Sequence, residues 1–284
     1  MISHSATRTS TRQALSWLVG LVLSLVGACI ATQRPADIVV IASGADLESP
    51  NPLVTVHPLS RQVQRFALFV TLARYDSALV PQPYYARQWQ WSADRRALRL
   101  DLDPSLAWHD GVPTTSRDVV FTFLAARDRA TGYPRAAELA ALDTVLATGD
   151  HSVELRFAAP QPRLPALVAE LPIVPAHLLG AVPRSRMRGA SFDDAPVGNG
   201  PFRFVSRRRG ARWTFSRNDR FPQSLGGPPR LRGFTIAVVD EATTKFAGLA
   251  SGELDLAGIA PTMAAVAKRD ATLRLISYPV MFGT

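Results

Sequence analysis

Trp108-His109-Asp110-Gly111-Val112-Pro113-Thr114-Thr115-Ser116-Arg117-Asp118-Val119-Val120-Phe121 reads, in order, as a turn, a cap and a helix. Gly111 can close a tight turn, and the Asp110 carboxylate can accept backbone N–H groups within it. Thr115 and Asp118, three residues apart, form the pattern of a capping box: the hydroxyl accepts from the first turn while the carboxylate reaches back to the Thr115 N–H. The helix then runs over Ser116–Arg127 with Val119, Val120, Phe123 and Leu124 on or near one face. Trp108, at the entry to the turn, is expected to pack inward. His109-Asp110 could be half of a catalytic triad, but the turn explains Asp110 without catalysis.

Outward from this stretch, Ala97–Leu102 alternates apolar and polar residues like a half-buried strand. Leu142–Ala147 and Ser152–Phe157 flank Thr148-Gly149-Asp150-His151 as a hairpin, and Phe202–Val205 and Arg212–Phe215 flank the basic tip Arg207-Arg208-Arg209-Gly210 as another. That tip is expected to be solvated. Asp37–Ala42 predicts a buried strand, Ser49–Pro52 a turn and Gln62–Leu72 a helix. Pro165–Leu171 predicts a short helix and Phe234–Val239 a strand. Asp240 is expected to cap a helix that Gly252 ends, with a strand at Leu254–Ala257.

The 284 residues are 47% apolar and 19% charged, which excludes a disordered or collagenous chain. A single cysteine excludes an intramolecular disulfide. The formal net charge is +9, yet Lys245 and Lys268 are the only lysines and the arginines are scattered, so no nucleic-acid partner is expected. Neither G-x-S-x-G, a P-loop, H-E-x-x-H nor G-x-G-x-x-G occurs, and the histidines are far apart in sequence; no enzyme, cofactor or metal site is expected.

Arg8 and Arg12, then the apolar run Ala14–Ala28, describe a secretory signal over residues 1–28. The run is short against the roughly 20 residues of a spanning helix. Val26-Gly27-Ala28-Cys29 resembles a bacterial lipobox, which implies cleavage before Cys29, lipidation of its thiol, and a tether over 29–35.

Several segments, in order, resemble the family 5 extracellular solute-binding proteins, the dipeptide, oligopeptide and nickel-type receptors of ABC importers. They are Leu72–Asp76 with Tyr85–Trp89, the opening stretch Trp108–Phe121, Ile173–His177, Pro196–Phe202, Arg217-Asn218 and Ser251–Leu256. Asn199 and Phe202 depart from the family's usual Thr and Tyr. The resemblance implies an α/β fold: a periplasmic-binding-protein type II-like lobe, discontinuous over 36–57 and 188–284, with an inserted α+β subdomain over 58–187. It also implies that Tyr278–Phe282 begins a crossing into a second ligand-binding lobe, so the chain reads as a C-terminally truncated member with that lobe missing. A lone lobe would hold a peptide weakly.

By the same resemblance Val56, His57 and Pro58 line the ligand cleft, together with Tyr133, Gly258 and Ile259. The implied function is capture of a peptide or peptide-like solute and delivery to ABC permease subunits, from a lipid anchor on the extracytoplasmic side of the membrane. The alternatives are a surface interaction lipoprotein that reuses the fold, or a receptor for a nickel chelate, haem or oligosaccharide.

Overall fold

The computed structural model describes residues 35–277. Cys29, the lipobox, the signal segment and Tyr278–Phe282 lie outside the described residues. In chain order the elements are β1 (Ile38–Ser43), α1 (Pro58–Val63), β2 (Ala73–Tyr75), β3 (Pro81–Pro83), β4 (Ala86–Trp91), β5 (Ala97–Leu102), α2 (Ser116–Arg127), β6 (Leu142–Gly149) and β7 (Ser152–Phe157). They continue with α3 (Ala166–Glu170), α4 (Ala176–Leu179), β8 (Phe202–Arg208), β9 (Arg212–Arg217), β10 (Gly233–Val238), α5 (Ala242–Ser251), β11 (Leu256–Ala257) and α6 (Ala264–Ala267).

Two larger sheets organise them. One is an antiparallel sheet in the order β4-β5-β7-β6; the other, β11-β1-β10-β9-β8, is mixed, with β1 parallel to both β10 and β11. The first is cut from a contiguous stretch of chain. The second joins strands from both sides of that stretch. One core runs through both, from Leu47 through Leu98, Leu100 and Leu155 to Trp213, Phe215 and Ile236.

The opening stretch folds as its local chemistry requires. Thr115 N–H donates to Asp118 Oδ2 at 2.8 Å and Arg117 N–H to Thr115 Oγ1 at 3.3 Å, so both halves of the capping box are made. Gly111 closes the turn at φ +96°, and Asp110 Oδ1 accepts from Val112 N–H at 3.2 Å. Trp108 is 2% exposed. The buried face of α2 differs from the apolar spacing: Val120 is half-buried, and Thr122, not Leu124, points inward. Its hydroxyl donates to the Asp118 carbonyl at 2.7 Å and accepts from Val174 N–H at 3.0 Å, which ties α2 to the segment before α4.

Pro196–Pro201 is the joint between the turn, α1 and the mixed sheet. The Leu68 carbonyl accepts from Asn199 N–H and Gly200 N–H at 3.1 and 2.9 Å. Asn199 Oδ1 accepts from Val70 N–H at 3.0 Å, so the departure from Thr at this position supplies a buried acceptor. A Cβ on Gly198 would lie 1.9 Å from the Leu68 carbonyl oxygen, which is why the backbone approach needs glycine there.

Other expectations are corrected. The helix expected over 62–72 starts earlier, with Pro58 as its first residue; it passes into a π-helical turn at Gln64–Leu68 and ends as Phe69 becomes extended. Phe66, placed by spacing on the apolar face, is 67% exposed. In β1 only Ala42 is buried, where a buried strand was expected. Glu241, not Asp240, caps α5, accepting from Thr243 N–H and Thr244 N–H at 3.0 and 2.6 Å. Those bonds, with the Thr243 hydroxyl foremost, hold the Glu241 carboxyl near 2. Arg207 is not a solvated tip: its guanidinium stacks over Trp213 at 4.3 Å, beside Asp46.

Candidate ligand-binding site

The loop between β1 and α1 is fixed by its own polar side chains. Ser49 Oγ accepts from Asn51 N–H and Asn51 Oδ1 from Leu53 N–H, each at 3.0 Å. Gln64 of the π-helical turn donates to the Ser49 carbonyl at 2.9 Å. Thr55 Oγ1 accepts from His57 N–H at 3.0 Å and donates to the Glu48 carboxylate, the main cause of that carboxyl's lowered pKa. Held this way, Thr55 stays buried while Val56 emerges 37% exposed.

Tyr133 arrives from the other side. A 3-10 turn at Arg129–Thr131 ends on Gly132 at φ +68°, and the chain reverses to bury Tyr133. Burial pushes its phenol up to about 12, so the ring carries a neutral hydroxyl. Val56 and Tyr133 line one crevice with Arg61, Arg65 and Glu170. Its volume of about 10 Å³ admits roughly one water.

Charge in the crevice is arranged around one carboxylate. Glu170 Oε2 accepts from Arg135 Nη1 at 2.6 Å and from Arg61 Nη2 at 3.1 Å. Arg135 also donates to both oxygens of Glu138, and these bonds, Glu138 first, raise its pKa. Arg65 donates to the Ala169 carbonyl at 3.1 Å; burial lowers its pKa.

The structure brings the two candidates Val56 and Tyr133 to one crevice, beside Arg61, Arg65, Arg135 and Glu170, which were not among the candidates. The spacing of Arg61 and Arg65, one helical turn apart, was the available signal. His57 precedes α1 half-buried, with Nδ1 buried and without a hydrogen bond. Pro58 borders a shallow hollow that shares Arg61 and Arg65 with the crevice. Gly258 and Ile259 follow β11 at the edge of the mixed sheet and line none of these hollows.

His109 and Asp110 do not form a catalytic dyad. His109 is buried, accepts from Gly198 N–H through Nδ1 at 3.2 Å, and meets the Gly200 carbonyl through Nε2 at 3.0 Å, a pattern that requires the Nε2–H tautomer. Burial pulls its pKa down to about 4. Asp110 faces the other way, with Oδ2 at 2.8 Å from His177 Nε2. Among the described residues no group of three or more His, Cys, Asp or Glu could hold a metal ion, and no helix is long and apolar enough to cross a membrane.

The family model for bacterial extracellular solute-binding proteins, family 5 (middle), matches residues 80–283. The chain belongs to this family. A putative ABC transporter peptide-binding protein of Brucella ovis is 28% identical over 170 residues, covering 60% of this chain and 32% of the relative. A probable peptide ABC transporter periplasmic-binding protein of Sinorhizobium fredii is 26% identical over 241 residues, covering 79% of this chain and 43% of the relative. The matches of this family 5 chain thus span 32% and 43% of these relatives' length.

Among solved structures, the oligopeptide-binding protein AppA of Bacillus subtilis, in complex with a nonapeptide, superposes with a TM-score of 0.76 at 24% identity. That match covers 82% of this chain and 46% of AppA. NikZ of Campylobacter jejuni, in complex with Ni(L-His), gives 0.74 at 22% identity, covering 84% and 46%. These likenesses establish the fold: a periplasmic-binding-protein type II-like family 5 architecture with mixed helix and sheet.

Proposed function

We propose that this family 5 chain acts in the substrate-binding component of an ABC importer. It captures peptides or peptide-like solutes outside the cytoplasm and passes them to permease subunits. The observation that carries the reading is the family itself, that of extracellular solute-binding proteins, whose model matches residues 80–283; Val56, emerging 37% exposed next to the buried Tyr133, is where the proposal places the solute. The peptide-binding names of the Brucella and Sinorhizobium relatives support peptides over other solutes. The same reading assigns 36–57 and 188–284 to one lobe and 58–187 to an inserted subdomain, and it anchors the chain through lipid on Cys29.

A ligand laid along Val56 would pair its backbone with that of the loop, an edge-on mode indifferent to side-chain sequence. The test is to secrete the protein from its own leader, equilibrate it with mixed short peptides, sugars and metal chelates at millimolar concentration, and identify the solutes it retains by mass spectrometry. Short peptides, depleted when Tyr133 is replaced by Ala, are expected. A protein that carries sugars or metal chelates and no peptides would contradict the proposal.

A further inference from the structure

Beside the crevice lies a groove of about 890 Å³ that shares Arg65 and Glu170 with it. Its other walls are Phe66, Arg74, Tyr75, Leu79 and Tyr84. The size suits a small ligand, since such sites run to roughly 300–1,000 Å³. Two of its apolar side chains stand in solvent, Phe66 at 67% and Leu79 at 76% exposure. Leu79 is held out by a backbone at φ +60°, a conformation that leucine rarely adopts.

The charges that line the groove are unequally committed. Glu170 is already bound by Arg61 and Arg135. Asp76 spends its carboxylate on its own turn, accepting from Ala78 N–H and Val80 N–H at 2.9 Å and from Gln82 Nε2 at 2.8 Å. The two guanidiniums have no such partners. Among the described residues neither Arg65 nor Arg74 is within ion-pair distance of a carboxylate. Arg65 makes one hydrogen bond, to the Ala169 carbonyl, lies over the Phe66 ring at 5.3 Å, and its Nε is buried without a hydrogen bond. Arg74 lies over the Tyr84 ring at 5.1 Å. Tyr84 is half-buried, and its phenol is pushed up to about 12, so it offers no negative charge.

Two guanidiniums without a carboxylate at ion-pair distance, beside aromatic and aliphatic walls, call for an anion attached to an apolar group, and a planar carboxylate matches the guanidinium fork. We propose that this groove holds the carboxylate end of a short peptide whose last side chain is apolar. Arg65 and Arg74 supply the positive charge, and Phe66, Tyr75 and Leu79 cover the side chain. The peptide as source rests on the function proposed above; the carboxylate chemistry rests on the groove alone.

The full chain, labelled with ¹⁵N, is titrated with millimolar Ala-Ala-Phe, its C-terminal amide, and 3-phenylpropionate, and followed by NMR. With Ala-Ala-Phe, the side-chain signals of Arg65 and Arg74 and the amides of Phe66 and Tyr75 should shift. The amide should bind about tenfold more weakly, since a charge-assisted bond is lost. Arg74→Gln, an exposed change, should weaken the acid by a similar factor without moving the thermal unfolding midpoint, and Phe66→Ser should weaken acid and amide alike. If phenylpropionate binds as tightly as the tripeptide, the carboxylate site stands and small aromatic acids are its source. Equal binding of acid and amide, an unaltered Arg74→Gln, or no shift at all would overturn the groove. Shifts confined to Val56 and Tyr133 would also overturn it while leaving solute capture along Val56 intact.

Discussion

The antiparallel sheet and the mixed sheet are built from similar apolar runs but are buried very differently. In β5, Leu98, Leu100 and Leu102 are fully buried, as are Val153 and Leu155 on the neighbouring β7. In β1, next to the edge strand of the mixed sheet, Ile38 through Ile41 are all half-buried, and Leu256 on that edge is 54% exposed. The mixed sheet is well packed only on its other side, where Trp213, Phe215 and Phe234 stack, the last pair at 4.7 Å. The inward face of the antiparallel sheet is thus fully covered, and the β1–β11 side is where apolar surface stays accessible. An apolar run says that a strand forms; what the strand packs against decides its burial.

The sharpest way to break this comparison is a pair of truncations. Leu100→Ala should cost about 2–5 kcal/mol, as filled cores do, whereas Ile41→Ala should cost roughly 1 kcal/mol because less of its surface leaves water on folding. Chemical denaturation of both variants measures the difference, and equal losses would mean that the two sheets are packed alike. Trp108→Ala belongs with the first class, at about 3–5 kcal/mol.

A smaller effect should come from the joint between the regions. His109 is neutral in the fold with its pKa near 4, against about 6.5 in an unfolded chain. Because its folded pKa is depressed, the unfolded chain takes the proton first as pH falls. The stability it contributes is complete above about pH 6.5 and is lost as pH falls from there through about 4, amounting to about 3 kcal/mol. Unfolding measured across that window should show a steeper acid loss in the wild type than in His109→Gln. Identical pH slopes would contradict a neutral buried imidazole.

Smallest is the helix cap. Thr115→Ala should cost about 1 kcal/mol, since one donor of the first turn loses its acceptor. An unchanged midpoint in denaturant would show that the tertiary bonds of Asp118, whose Oδ1 accepts from Ala176 N–H at 2.9 Å, suffice to hold the helix start.

What was legible in the sequence was local. The turn, the cap and the extent of α2 follow from residues three or four apart, and so does the hairpin of β6 and β7. The start of α1 was signalled by Pro58, but the apolar spacing of Val63, Phe66 and Phe69 outweighed it; a π-helical turn shifts that spacing and puts Phe66 outside. Of the residues that line the crevice, the sequence named only some. Val56 and Tyr133 came from the resemblance, whereas Glu170, which gathers Arg61 and Arg135 from distant segments, has no signal in its own neighbourhood. Arg207 was misplaced for the same reason: nothing near it announces that Asp46 and Trp213 will lie beside it.

The central claim is that solute is captured where Val56 emerges beside Tyr133. A photo-reactive benzoylphenylalanine placed at Val56 tests it directly, with the same residue at Leu146 in the β6–β7 hairpin as a control of equal exposure, 37% at each site. After illumination with a mixed tri- to pentapeptide library, peptide adducts should form at Val56 and not at Leu146. Adducts at both positions in equal yield, or at Leu146 alone, would contradict it.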